Sequence, residues 1–136
     1  KTLTSPTLDT ATLNTATLNT ATLVGSSLIN GSLSLVPGAV QSLSVGSTIS
    51  VATAIIKVVG NAGAINLTSV PQVAAGADGQ IIIIKGTDNN NTITLDEGTG
   101  LALTDGASVT LGDKDTLVLM YDVGDTEWIE ISRSNK

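Results

Sequence analysis

The sequence predicts an all-β protein in two parts: a short N-terminal β arm or shaft built on a five-residue repeat, followed by a compact antiparallel β-sandwich or jelly-roll-like domain. Three observations support this class. Thr, Ser, Val, Ile, Gly and Asn are abundant, whereas Glu, Lys and Arg, the usual residues of helix surfaces, are scarce. Leucines recur at every fifth position near the N-terminus. Beyond them, short apolar runs alternate with clusters of turn residues.

The leucine spacing predicts the arm, residues 1–36. A helix advances about 500° in five residues, so the leucines would form no stripe on it. On a straight strand an odd spacing sends successive leucines to opposite faces. They can share one interior only if the chain turns once per repeat, and they are the predicted core of the arm or shaft: Leu3, Leu8, Leu13, Leu18, Leu23, Leu28 and Leu33.

The repeat unit is clearest in Ala11–Thr15 and Ala16–Thr20, which resemble the pentapeptide-repeat family. That resemblance covers about a quarter of the chain and implies a square β-helix. Seven repeats would complete fewer than two coils of such a helix. Because a solenoid generally needs at least about three stacked units to bury its core, the self-contained coil is one interpretation and not the favoured one.

Two other interpretations of the arm stay open. The opening Thr2–Leu8 resembles phage fibre sequences, in which leucines from identical chains share the axis of a thin trimeric shaft. A flexible, Thr-rich tether is the alternative. The regular leucine spacing favours the intermolecular shaft, because a tether has no reason to keep that spacing.

The second part begins where Pro37 and Gly38 interrupt the repeat. We interpret residues 37–47 as a linker and residues 48–136 as a sandwich-like domain. A strand with its turn every 8–12 residues or so is typical of a sandwich or barrel. The predicted strands are Thr48–Ala52, Ala54–Val59, Ala64–Ser69, Gln80–Lys85, Asn91–Leu95, Leu101–Leu103, Ser108–Leu111, Thr116–Tyr121 and Glu127–Ser132.

Two predicted strands are apolar on both faces, around Ile55–Val59 and Ile81–Ile84. An antiparallel strand with one wet face should alternate, so both runs are expected to be covered on both sides. The second cover is either a neighbouring copy of the chain or the interior of a single sandwich. Under the first interpretation, Ile82 and Ile84 are candidate interface or ligand contacts.

The last two predicted strands form a hairpin, in which Ile129 and Ile131 are expected to face the core. Trp128 and Glu130 then share the other face, which would normally be wet. An outward tryptophan suggests an interface or a platform for stacking a sugar, so Trp128 is also a candidate contact. The alternative is that Trp128 packs against a neighbouring loop or strand.

This half of the chain carries a second resemblance. The runs Gly79–Gly86, Thr92–Leu95, Asp115–Asp122 and Glu127–Ser134 look like the terminal β domain of phage virion proteins, which include tail fibres, head fibres and capsid decoration proteins and are commonly trimeric. The resemblance covers most of residues 45–135. It implies a homotrimer on the surface of a phage particle, with the major capsid protein or another virion protein as partner. It transfers no receptor-binding residue.

Residue types exclude much chemistry. Without His and Cys the sequence has no Ser-His or Cys-His nucleophile pair, no zinc site of the usual kind and no disulfide. Three acidic pairs lie in or beside predicted turns, where Asp is favoured for backbone reasons. We therefore predict no enzyme, no catalytic residue, no cofactor and no metal site at these pairs: Asp96 with Glu97, Asp113 with Asp115, and Asp122 with Asp125.

The net charge excludes some classes of partner. The net charge of −6 argues against nucleic acid and anionic membranes, and no apolar run approaches the ~20 residues of a membrane-spanning helix. The expected function is a homotrimeric capsid decoration (cement) protein or head fibre. The alternative is a tail-fibre or spike fragment that binds a host receptor or a host surface glycan. A polysaccharide-cleaving spike ranks last, because the sequence lacks a long β-helix and an acidic groove.

Overall fold

The computed structural model describes residues 32–98 and 100–136, and Ser34–Lys136 form one compact unit. Six of the seven leucines predicted as the arm core lie outside the described residues: Leu3, Leu8, Leu13, Leu18, Leu23 and Leu28. The seventh, Leu33, is exposed.

Nine strands form two sheets in the described part of the chain, which confirms the all-β class. The six-stranded sheet has the order β1-β2-β4-β8-β9-β6, and the three-stranded sheet has the order β3-β5-β7. A 3-10 turn, Thr104–Gly106, lies between the sixth and seventh strands. The strands are β1 (Pro37–Leu43), β2 (Ile55–Gly60), β3 (Ile65–Asn66), β4 (Ile81–Gly86), β5 (Ile93–Leu95), β6 (Leu101–Ala102), β7 (Val109–Leu111), β8 (Thr116–Asp122) and β9 (Glu127–Ser134).

The sheets are mixed, which differs from the purely antiparallel arrangement expected from the sequence. The chain passes from β2 to β3 and from β4 to β5, each time crossing from the large sheet to the small one. Successive passes stack in parallel, so that Ile55 pairs with Ile83 and Ile65 with Ile93. β8 then pairs antiparallel with β4 and with β9. β4 thus has a parallel neighbour on one side, β2, and an antiparallel neighbour on the other, β8.

Eight of the nine predicted strands are present, and the two differences concern residues 37–52. The expected linker contains β1, whose first residue is Pro37. Proline is tolerated there because β1 is an edge strand of the sheet. The predicted strand Thr48–Ala52 is reduced to one bridge, between Ile49 and Val73. The side-chain amide of Gln41 bonds both backbone groups of Ser50, so side-chain hydrogen bonds replace a strand ladder there.

The core lies between the two sheets. Alternate residues of the large sheet and of the small sheet point toward each other and form one buried cluster. Among the described residues, every buried side-chain nitrogen and oxygen atom has a hydrogen-bond partner. The largest fully buried members are Trp128, Ile49, Ile56, Leu67, Ile82, Ile84, Ile93, Leu95, Leu101, Leu111, Leu117 and Leu119.

Candidate functional site

The three residues singled out as possible interface or ligand contacts are all in the core. Ile82, Ile84 and Trp128 each have 0% of their surface exposed. The two isoleucines occupy the face of β4 that packs against the small sheet. None of the three lies at the surface of the described unit, where the sequence led us to expect contacts with a partner or ligand.

Trp128 is buried because the face of β9 that was expected to point outward faces the core. The register pairs Tyr121 with Trp128 and Met120 with Ile129, so Trp128 joins the core face of β8. The two aromatic rings meet edge to face with centroids 5.0 Å apart. The indole Nε1–H donates to the carbonyl oxygen of Ala74 at 2.9 Å. Trp128 therefore packs against a neighbouring strand and loop, the alternative that the sequence had left open.

Glu130 also faces inward, where its carboxylate is held by a complete set of partners. A register shift between Val118 and Leu119 marks a bulge in the β8–β9 ladder near Glu130. Arg133 donates to Glu130 from Nε at 2.6 Å, and the backbone N–H of Thr104 donates at 2.9 Å. The hydrogen bond from Arg133 lowers the pKa of Glu130 more than burial raises it. This carboxylate therefore links β9 to the loop at Thr104 as an ionised, hydrogen-bonded group.

Residues of the acidic pairs accept hydrogen bonds, either within a turn or from a separate segment of the chain. Asp96 accepts hydrogen bonds from the Ser108 hydroxyl at 2.6 Å and the Asn66 amide at 2.7 Å, which lower its pKa. Asp115 accepts from the backbone N–H of Gly112 at 2.8 Å. Within residues 32–98 and 100–136 no group of three acidic residues could hold a metal ion.

A small cavity lies beside the aromatic pair. It measures about 150 Å³ and is lined by apolar groups that include Pro71, Val73, Tyr121 and Trp128. A cavity of this size accommodates a molecule such as benzene, and a site that orients a sugar needs several convergent polar groups. The cavity is therefore poorly suited to a glycan.

The remaining feature is the outer face, which we define as the side of the six-stranded sheet that points away from the three-stranded sheet. Its central side chains are apolar, and we call them the outer apolar cluster: Ile55, Ile81, Ile83, Val118, Met120 and Ile129. Ile81 is 57% exposed, and the others are half-buried by their neighbours. The described part of the chain has no further sheet on this side.

The two ends of the outer face carry opposite charge. At the basic end, Lys57 of β2 is the register partner of Lys85 of β4. At the acidic end, Asp122 of β8 is the register partner of Glu127 of β9. Six residues of β8 separate the level of Lys85 from the level of Asp122, or about 20 Å along the strands. The outer apolar cluster fills the space between the two ends.

The sequence indicated a strand with two apolar faces, but it did not indicate the charged ends. Lys57 and Lys85 lie far apart in the chain, and only the parallel register places them together. No helix of the described part is long and apolar enough to cross a membrane. No protein-family model, no curated protein and no solved structure matches this chain.

Proposed function

We propose that the chain is a structural protein of a bacteriophage virion, a homotrimeric capsid decoration (cement) protein or head fibre that stabilises or projects from the particle. The observation that supports self-association is the outer apolar cluster, on a sheet whose other face is already buried. The leucine repeat and the likeness of the β segments to phage virion domains support the phage assignment. The major capsid protein or another virion protein is the proposed partner beyond the chain itself.

The size of the outer face is consistent with an interface. Its four central strands span about 19 Å, and with a length of about 20 Å they give roughly 400 Å² in projection. The largest apolar patch of a soluble monomer is typically about 300–600 Å² and is often functional, so the outer face lies within the size range of interaction sites. Each Å² of apolar surface removed from water contributes about 25 cal/mol to association, before the entropic costs of association are subtracted.

The alternative, a tail-fibre or spike fragment that binds a host glycan, has less support. The whole sequence contains one Trp, one Tyr and no Phe. Both rings are in the core, with Trp128 0% and Tyr121 4% exposed. No aromatic ring is thus available in the described unit for a sugar to stack on.

Self-association is tested by measuring the mass of the purified chain by light scattering at micromolar concentration. We expect a trimer, three times the chain mass of 13.7 kDa. Replacing Ile81 by Glu places a charge in the outer apolar cluster and should give a monomer that keeps its β-type circular dichroism. The matched control is Val45→Glu, since Val45 is similarly exposed, at 50% against 57%, but lies in a turn beyond β1.

The control variant should remain trimeric. A wild-type chain that stays monomeric, or an Ile81→Glu variant that remains as trimeric as the control, would refute self-association through the outer face. The virion role needs a separate observation, because many proteins form trimers. Electron cryomicroscopy of the phage particle should show the chain as three-fold density on the capsid surface, and its absence from purified particles would overturn the virion role.

A further inference from the structure

Lys57 and Lys85 occupy an unfavourable position in a single chain. They are register partners on the neighbouring central strands β2 and β4, with backbones about 4.8 Å apart. Both are half-buried, and like charges placed directly across two strands repel. The ion pairs of the described residues are those of Lys114 and Arg133, so neither lysine has a carboxylate within 4 Å there. Violations of local rules are expected mainly at functional sites.

The acidic end offers the complementary charge, but on the same chain it is too far away. Asp122 and Glu127 lie about 20 Å from the lysine pair along the strands and two strands, or about 10 Å, to the side. Over that distance the attraction between exposed charges is largely screened by salt. The outer face is therefore electrically polar, positive at one end and negative at the other, with apolar side chains between.

We infer that copies of the chain meet head to tail on the outer face, with Lys57 and Lys85 of one copy beside Asp122 and Glu127 of the next. In the trimer, the strands of the outer face then run across the three-fold axis and not along it. This inference rests on the proposed homotrimer and specifies how its copies are arranged.

Symmetry explains why the charges decide the orientation. If the strands ran along the axis, the three lysine pairs would lie at one height and converge, and the three acidic pairs would do the same. If the strands run across the axis, each basic end meets the acidic end of the next copy at a corner of the trimer. The apolar clusters then face one another around the axis. The basic pair and the acidic pair are separated by about 20 Å along the strands and about 10 Å across them. Strands inclined by about 25° to the plane perpendicular to the axis therefore bring the two pairs to the same height.

The two kinds of contact have different roles. Burial of the outer apolar cluster provides most of the affinity. The charge pairs contribute little attraction if they stay partly hydrated, but like-charge contacts in a wrong orientation are costly. The pairs therefore select the arrangement of copies, as charged residues do in other specific interfaces.

The test uses three variants of the full chain. The basic-end variant is Lys57→Glu with Lys85→Glu. The acidic-end variant is Asp122→Asn with Glu127→Lys, in which Asn keeps the side-chain oxygen that accepts from the Gly124 backbone N–H at 2.7 Å. The swapped variant combines all four changes. Circular dichroism and thermal unfolding establish that each variant folds, and sedimentation measures its trimer dissociation.

We expect the trimers of the basic-end and acidic-end variants to be at least about tenfold weaker in affinity than the wild-type trimer, because like charges now meet at every corner. About 1 M salt should restore part of the loss by screening the repulsion. The swapped variant should return to within about threefold of the wild-type affinity. The matched control, Val45→Glu with Val70→Glu, adds two carboxylates at exposed loop positions outside the strands of the outer face and should remain trimeric.

A mixture of the basic-end and acidic-end variants tests the three-fold arrangement. Both ends of one variant are acidic and both ends of the other are basic, so they can alternate in a two-membered assembly but not in a ring of three. We expect the mixture to form no stable trimer, and a stable heterodimer would overturn the three-fold arrangement. A trimeric wild type whose affinity is unchanged in the charge variants would refute the inference and leave the proposed function intact. A monomeric wild type would refute both.

Discussion

Replacing Trp128 by Ala should destabilise the β unit by about 4 kcal/mol without removing any surface contact. The side chain is 0% exposed, and truncating a buried tryptophan typically costs about 3–5 kcal/mol through lost burial and the cavity left behind. The change also removes the edge-to-face contact with Tyr121 and the donor to the Ala74 carbonyl. A domain of this size has a total stability of only about 5–15 kcal/mol, so the loss is a large fraction.

The assay is urea unfolding followed by circular dichroism, because the variant loses the only tryptophan and with it the fluorescence signal. Both chains should carry Ile81→Glu, since association would otherwise add to the apparent stability. Trp128→Phe is the matched variant: it keeps a ring beside Tyr121 but loses the indole N–H, so it should cost about 1–2 kcal/mol. A cost below about 1 kcal/mol for Trp128→Ala would show that this residue is not part of the core.

Three further predictions concern the β unit. Gly86→Ala should lower the thermal midpoint sharply, because the new Cβ would lie 2.1 Å from the carbonyl oxygen of Gly112, whereas Gly46→Ala, with no atom within 4 Å of its Cβ, should not. Asp96→Asn should be less stable than wild type at neutral pH: the hydrogen bonds that Asp96 accepts lower its pKa, so its contribution is present above the ordinary value of 3.8 and is lost as the pH falls through the lowered value. Unfolding measured at several pH values should show the difference narrowing below 3.8, and a constant difference would contradict this reasoning. Thr126→Gly should raise stability by roughly 0.5–1 kcal/mol in urea unfolding, because Thr126 has a φ of 58°, which a β-branched residue adopts only with strain; a loss of stability would be contrary to this expectation.

Most strands could be predicted because each is a short apolar run between turn residues, a pattern that survives almost any tertiary context. β1 was missed because Pro37 and Gly38 are typical of turns, and only its edge position makes them acceptable. The sequence pattern also could not predict which strands pair in parallel and which pair antiparallel. Alternation shows that a strand has two faces, but it does not show whether the chain returns to the sheet in parallel or in reverse.

The inward face of β9 could not be chosen from the sequence, since both of its faces contain large apolar residues. Ile129 and Ile131 form the more uniformly apolar set, yet the register with β8 turns Trp128 toward Tyr121. Glu130 also faces inward, where it pairs with Arg133. The bulge and this ion pair depend on cross-strand geometry, which no local pattern specifies.

The candidate interface was partly predictable. The apolar pattern of the β4 run correctly indicated that one sheet has a second apolar face, but it singled out Ile82 and Ile84 where the structure exposes Ile81. The intermolecular shaft formed by the leucine repeat stays a prediction, since residues 1–31 lie outside the described part.

The strand order has a consequence for synthesis of the protein. β8 lies between β4 and β9 in the sheet, although β4 precedes it by about thirty residues in the chain. Until β8 leaves the ribosome, the four consecutive isoleucines of β4 have an unpaired backbone edge, an arrangement prone to aggregation. Chains interrupted before residue 116 should therefore aggregate, and synthesis of β8 is the step that covers this edge of β4.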